Sequence, residues 1–415
     1  RQAPRSCFER PISMKISIVG GGPGGLYFAI LAKKQWPDWD ITVYERNKAG
    51  STFGFGVVFS DETLGIFRDY DRPSYEAIRR GFAYWGDVDV IYQGETRRFG
   101  GNGFCGCSRV TLLELLEERA LELGVAITHE AEIEATGQFT DSDLIVAADG
   151  INSRTREAAR DHFGTSIDLR TNKFIWMGST APLDAFKYFF HKTDHGVICA
   201  HSYQYAEDRS TWVIEMSEPC WRGLELDKLD EAASSALLED IFADELKGHK
   251  LKADQLLWRN FPDITNSTWV KDNVVMLGDA KATAYYGIGS GTKLAMEHAI
   301  HLFDAQKDKP DITSALHHYD TDRREVVEKT QHAARVSCAW FEHMDTHWGM
   351  EPDQFALSLM TRSLQVTWEN LRLRDAPAVE RAEHWFAGHV AQQGYASDTN
   401  QPVPPAFQPF RLRDM

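Results

Sequence analysis

The chain has no run of apolar residues near the roughly 18 that a bilayer-spanning helix requires, so no membrane span is expected. Its opening stretch, RQAPRSCFERPIS, has no hydrophobic core of a signal peptide, and residues 1–13 read as an N-terminal extension ahead of Met14. Cysteine is scarce: Cys7, Cys105, Cys107, Cys199, Cys220 and Cys338 show no zinc spacing. Cys105 and Cys107 stand without a second pair or a nearby His set, so no metal site is expected and a reduced, cytoplasmic protein fits. Positive charge is short as well. Lys and Arg total 45 against 61 Asp and Glu, a formal charge of −16, which repels polyanions and excludes a nucleic-acid partner. An anionic ligand must then bind in a local positive pocket set in an acidic surface.

What is present is core-forming material: 43% hydrophobic and 12% aromatic residues over 415 positions. That is enough to bury a large core in about two to three structural units. KISIVG, residues 15–20, is a buried-strand pattern that runs into GGGPGG and then into LYFAILAKK, an apolar helix pattern. Gly20, Gly22 and Gly25 occupy the first, third and sixth places of a dinucleotide fingerprint, where absent side chains permit a tight turn and close approach of a pyrophosphate. The helix start adds free N–H groups and a positive dipole end. A second strand pattern, residues 41–44, ends in Glu45, about 20 residues past Gly25, where an acid accepts from ribose hydroxyls. An acid there disfavours a 2′-phosphate, while Arg46 next to it softens that exclusion or is an ordinary surface Arg.

Two further strand-to-turn patterns follow. DLIVAADGINSRTR, residues 143–156, is a buried strand broken at Asp149-Gly150, with Ser153 as a candidate N-cap and a basic first turn. NVVMLGDAKATAYYGIGSGTKLAMEHAI, residues 273–300, is a strand ending in Gly278-Asp279, a small-residue loop, and Gly287, Gly289 and Gly291 before a helix. Such a loop brings backbone N–H groups and a second helix N-terminus to the ligand, and Asp279 can accept from a sugar-chain hydroxyl. Two glycine-rich anion sites in one chain suit a long ligand.

These three segments, in this order, resemble the single-component flavoprotein aromatic hydroxylases, the family typified by para-hydroxybenzoate hydroxylase. The resemblance implies an α/β fold: a Rossmann-like FAD-binding domain with an inserted, mostly antiparallel β-sheet substrate domain and a C-terminal helical region. It places the ADP half of FAD on Gly20, Gly22, Gly25 and Glu45. It puts Asp149, Gly150 and Arg156 near the pyrophosphate, and Asp279 on the ribityl chain, with Gly289 and Gly291 completing the late loop. Arg109, in CSRVTLLELLEERA, matches the family arginine that opens a helix and reaches the flavin; pairing with Glu114 is the competing reading.

Longer strings narrow the resemblance. FGFGVVFS (residues 53–60), GIGSGTKLAME and LRLRDAPAVERAEHWFA are similar to the branch containing salicylyl-CoA 5-hydroxylase and 2-aminobenzoyl-CoA monooxygenase. AHSYQYAEDRSTWVIEMSE and WFEHM point more distantly to violacein-pathway hydroxylases. QPVPPAFQPFRLRDM, residues 401–415, resembles the start of an old-yellow-enzyme reductase, which some members of the branch carry as a fusion partner.

The implied layout is an FAD-binding domain in three parts (residues 14–80, 101–172 and 262–345), with substrate-domain strands at 81–100 and a substrate-binding sheet at 173–261. A helical region at 346–395 and a linker and tail at 396–415 complete it.

The implied chemistry is hydroxylation of an activated aromatic ring. NADH or NADPH reduces FAD, O2 forms a flavin C4a-hydroperoxide, and its distal oxygen attacks the ring. The implied substrate is an aryl-CoA thioester such as salicylyl-CoA or 2-aminobenzoyl-CoA. A tailoring hydroxylase of an indole or another aromatic natural product is the alternative, and a redox-silent FAD-binding protein a second. The candidate pocket walls are Trp176, Tyr203, Tyr205, Trp212 and Tyr286, with ordinary sheet packing as the competing reading. Tyr285 is the candidate for contact with the reacting ring. It stands where the thioester branch is expected to carry His, and His298 where Asp is common. Arg323, Arg324, Arg335, Arg362, Arg372 and Arg374 are candidates for the CoA phosphates, or else lie on solvated helix faces.

Overall fold

The computed structural model describes residues 13–51, 55–253, 257–289 and 291–392. The extension through residue 12 with Cys7, the string positions Phe53 and Gly54, and the reductase-like tail at 396–415 lie outside them.

The KISIV strand, Lys15–Val19, is buried along nearly its whole length because it is central in a six-stranded sheet with parallel neighbours on both sides. It pairs with Asp40–Tyr44 on one side and Leu144–Ala147 on the other, with Ala126–Thr128 and Val274–Met276 beyond. The helix Pro23–Gln35 follows at once. Proline at its first turn costs no hydrogen bond, and residues 23–32 are buried because the helix lies between this sheet and the helices Arg109–Glu122 and Gly291–Asp308.

The second layer is a larger sheet in the order Leu251–Ala253, Ser166–Ser179, Arg209–Met216, Gly196–Ala206, Phe186–Thr193, Val88–Tyr92, Glu95–Phe99. Arg259–Thr265 pairs along the outer edge of Ser166–Ser179. All these pairings are antiparallel except Phe186–Thr193 with Val88–Tyr92. Two strands cross the expected domain boundaries at 172 and 261: Ser166–Ser179 begins beside the cofactor layer and runs unbroken into the sheet, and Arg259–Thr265 returns along it.

Side chains alternate across this sheet, and the register sorts them. Phe174, Trp176 and Gly178 lie opposite Glu215, Val213 and Thr211, and these lie opposite Cys199, His201 and Tyr203. This near face turns toward the late glycine loop and the C-terminal helices. The far face carries Ile175, Met177, Ile198, Ala200, Trp212 and Ile214, and is covered by the helices Glu231–Ile241 and Ala243–Leu246, with Leu238, Phe242 and Leu246 buried. Trp212 is therefore not a pocket wall. It sits one position out of phase with the near face and stacks on Phe189 at 5.2 Å.

A three-stranded sheet, Gly56–Ser60 with Phe104–Ser108 and Ala83–Trp85, lies between the layers. The helices Arg324–Glu342, Pro352–Thr361, Trp368–Arg374 and Ala376–Gln392 close the near side. Among the described residues no helix is long and apolar enough to cross a membrane.

Candidate active site and cofactor groove

The glycine turn after Lys15–Val19, the end of Asp40–Tyr44 and the turn after Leu144–Ala147 meet at one end of the parallel sheet and form one groove. Gly20, Gly22, Glu45, Arg46, Arg109 and Asp149 line it, with Gly150 and Arg154 beside them. Glu45 is fixed by its neighbours: Oε2 accepts from the Gly21 N–H at 2.8 Å, and Oε1 accepts from the Asn47 N–H at 2.8 Å and its amide at 2.7 Å. Oε2 thus keeps a lone pair for a ligand hydroxyl, while Oε1 already accepts twice.

Gly25 does not line the groove. A Cβ there would meet the Gly20 carbonyl oxygen at 2.3 Å, so its role is close contact between the helix and the turn. Ser153 caps the short helix Arg154–Ala158 through the Arg156 N–H at 3.0 Å, as its position in the sequence suggests. Arg156, 2% exposed, lies behind the groove lining. Its guanidinium donates to the Ile151 carbonyl at 2.8 Å and the Ala280 carbonyl at 3.4 Å, tying the Asp149-Gly150 turn to the Gly278-Asp279 turn.

Burial pushes the Asp279 carboxyl above its ordinary range, and the Arg109 and Arg156 guanidiniums oppose that shift. Burial lowers the Arg109 pKa in turn, with Asp279 opposing. This pair of charges links the first groove to the late loop. His298 supports the same turn from behind: the Gly278 N–H donates to His298 Nδ1 at 3.2 Å.

The groove fits a long anionic dinucleotide. A Cβ at Gly22, Gly150, Gly289 or Gly291 would meet nothing within 4 Å, leaving a cradle along both loops. Asp149 Oδ1 is buried without a hydrogen-bond partner, while its Oδ2 accepts from the Thr155 N–H at 3.2 Å. An unpaired buried acceptor beside a helix start is what a ligand's donor hydroxyl satisfies.

The late loop continues onto the near face of the substrate sheet. There Glu215, 0% exposed, accepts from the Tyr285 hydroxyl at 2.5 Å and from the Tyr286 hydroxyl, both on Oε2. Its Oε1 faces His201 Nε2 at 3.5 Å, and neither atom has a hydrogen bond. Burial, then the adjacent Glu215 charge, holds both tyrosine hydroxyls protonated well beyond their ordinary range. Tyr285 is 3% exposed; Tyr286 is the more open of the two, with its ring 4.8 Å from Phe174 and 6.3 Å from Trp176.

Tyr203 and Tyr205 pack against the segment that enters Gly56–Ser60. The Tyr203 hydroxyl donates to the Gly56 carbonyl at 2.7 Å, and a Cβ on Gly56 would meet the Tyr205 side chain at 2.7 Å.

Glu215, His201 and Arg362 were not expected in this cluster. The readable signal was a Glu and a His inside the apolar strands STWVIEMS and GVICAHSY. The sequence offers Arg362 for the CoA phosphates or for a solvated helix face. Arg362 instead donates to the Tyr188 hydroxyl at 3.0 Å and to the Gly287 carbonyl, bracing the loop that carries both tyrosines. Arg324, Arg335 and Arg372 likewise pair with Asp320, Asp263 and Glu383.

The fold and groove define a flavin-dependent oxygenase, and the comparisons with known proteins agree. The FAD-binding domain family matches residues 13–334, and the chain belongs to that family, within its FAD-dependent aromatic monooxygenases, which use NAD(P)H and O2. It is 38% identical over 387 residues to a salicyloyl-CoA 5-hydroxylase of Streptomyces sp, covering 91% of this chain and 74% of that one. It is 34% identical to a 3-hydroxy-4-methyl-anthranilyl-[aryl-carrier protein] 5-monooxygenase of Streptosporangium sibiricum, covering 88% of this chain and 99% of the other. Among solved structures, a tetrameric 2-methyl-3-hydroxypyridine-5-carboxylic acid oxygenase shares the fold with a TM-score of 0.65 at 18% identity, over 85% of this chain and 96% of that one.

Proposed function

We propose that the protein hydroxylates the ring of an aryl-CoA thioester, of the salicylyl or 2-aminobenzoyl type. The observation that carries this reading is the pair of relatives above 30% identity, one named for a CoA thioester and the other for a carrier-protein-linked aromatic. Gly20, Gly22, Glu45 and Asp149 hold the ADP half of FAD, and Arg109, Asp279, Gly289 and Gly291 hold its flavin half. When bound, FAD accepts hydride from NAD(P)H and passes one oxygen atom of O2 to the ring.

The chain's own contribution lies on the near face of the sheet. Phe174, Val213 and Phe341 supply an apolar surround that excludes water. Tyr286, the more open of the two tyrosines, meets the ring's hydroxyl or amino group. Its hydroxyl proton is directed to Glu215 Oε2, so its oxygen is free to accept from that group. Tyr285 braces the same carboxylate from the buried side. The ring's own donor group supplies its activation, and this contact adds help on the scale of general acid–base catalysis. Five described cysteines are buried free thiols, which suits a reducing cytoplasm.

The test is NADH oxidation by the purified yellow protein with salicylyl-CoA, 2-aminobenzoyl-CoA and free salicylate, under 18O2. The expected product is a ring-hydroxylated thioester carrying one 18O atom. Equal background oxidation with all three compounds overturns the thioester reading.

A further inference from the structure

The outer edge of the substrate sheet carries two cations outside the ion-pair networks that hold most of the surface. Lys252 lies opposite Gly178 and Arg259 opposite Phe174. Directly opposed residues of antiparallel strands point to the same side. Both side chains therefore rise from the near face, on either side of Trp176. Both are exposed, and neither has an ion pair or a side-chain hydrogen bond among the described residues. Four strand residues separate their registers, about 13 Å.

Between them Trp176 is 37% exposed, and Leu257, two residues before Arg259, is 44% exposed. A single exposed aromatic ring is ordinary, and its surroundings decide what it can do. This one leads inward: Trp176 stands 6.3 Å from the Tyr286 ring, which stands 4.8 Å from Phe174 and is bonded to buried Glu215. An apolar strip flanked by two cations with no partner among the described residues thus runs from the surface to the proposed ring contact, on a chain whose net charge of −16 otherwise repels anions.

We propose that this edge is the docking site for the phosphate-bearing pantetheine arm of the thioester substrate. Trp176 and Leu257 receive the arm's apolar stretch, and Lys252 and Arg259 receive its phosphate. The assignment rests on the thioester reading above and specifies where the carrier leaves the pocket. A free coenzyme and a carrier protein's prosthetic arm share this chemistry, a thioester-bearing pantetheine ending in phosphate.

The experiment compares KM and kcat for salicylyl-CoA, salicylyl-pantetheine without phosphate, and a salicylyl-loaded carrier protein. The proteins are the FAD-loaded wild type, Lys252→Met/Arg259→Met, and the charge-keeping Lys252→Arg/Arg259→Lys. The expected result is a rise on the order of tenfold in KM for the phosphorylated substrates in the Met variant, with kcat and flavin content unchanged. The KM for salicylyl-pantetheine should not move, and the charge-keeping variant should recover most of the loss. A wild-type enzyme that prefers the loaded carrier protein, with the same loss in the Met variant, supports the site and identifies the carrier as its source. An unchanged KM for salicylyl-CoA in the Met variant overturns the site and leaves the thioester reading standing. A wild-type enzyme that turns over free salicylate and no thioester overturns both.

Discussion

Gly20 and Gly22 stand two residues apart in the same turn, and their substitution is expected to fail in different ways. Gly20 has φ +108°, where other residues are strained, and a Cβ there would lie 2.2 Å from the Ala148 carbonyl oxygen. Gly20→Ala should therefore cost the fold itself, by about 1–3 kcal/mol from backbone strain before the clash is counted. Gly22 has φ −74° and ψ 175°, open to any residue, and its Cβ would meet nothing within 4 Å. Gly22→Ala should leave the apoprotein's stability within about 0.5 kcal/mol of wild type. Its methyl group would nevertheless occupy the space where the pyrophosphate approaches, lowering FAD affinity at least about tenfold, or about 1.4 kcal/mol. Urea unfolding of the flavin-free proteins, set beside flavin absorbance after reconstitution, separates the two. Equal FAD retention by Gly22→Ala and wild type would remove Gly22 from the cofactor site.

Between elements, the helices Pro23–Gln35 and Gly291–Asp308 approach each other closely. Their contact passes over Gly24, a glycine outside the fingerprint's fixed positions. A Cβ on Gly24 would lie 2.6 Å from Leu277 Cδ1 and 2.8 Å from the Ala295 carbonyl oxygen. Gly24→Ala must push the second helix away from the first, and with it the Gly278-Asp279 turn. The expected cost is about 1–2 kcal/mol, the overpacking penalty less the helix-propensity gain. It should be read as a lower urea midpoint at unchanged slope; an unchanged midpoint would show that the helices are not so tightly opposed. Gly24 also shows what a sequence can disclose. The fingerprint, Glu45 and the Asp149 and Asp279 turns are legible because a phosphate-binding turn makes local demands on a few adjacent residues. Helix-to-helix distance is a property of two segments more than 250 residues apart, and no local pattern records it. The same limit hid the site's acid. A Glu within STWVIEMS announces an unusual buried charge, but its partners Tyr285 and Tyr286 lie 70 and 71 residues away and are found only once the sheet's register is known. Trp212 shows the converse: strand residues are readable, whereas which face each takes depends on register.

For the whole molecule, the buried histidines behind the late loop set how stability follows pH. Burial, with the Lys281 charge adding to it, holds His298 well below its ordinary pKa. Burial, followed by Arg323 and Lys281, brings His301 down to about 3. Lys281 itself is fully buried, its Nζ 3.6 Å from the centre of the Trp269 ring and 3.1 Å from the Tyr319 hydroxyl, and burial holds it well below the usual lysine range. Between the unfolded histidine value, about 6.5, and the depressed folded values, the unfolded chain binds protons that the folded chain refuses. Stability from the two histidines is therefore fully present above about pH 6.5 and is lost as pH falls below it, at up to about 1.4 kcal/mol per pH unit for each. Asp279 and Asp304, both raised by burial, act in the opposite sense and reduce the net slope. In His298→Asn the side-chain amide oxygen can still accept from the Gly278 N–H while the titrating group is gone. Urea unfolding of the FAD-loaded enzyme at pH 7, 6 and 5 should show the wild type losing stability steadily over that range and His298→Asn losing it with a slope smaller by about one proton. Parallel slopes for the two proteins would mean that His298 takes up its proton in the folded state as readily as in the unfolded one, and that the Gly278-Asp279 turn is open to water from behind.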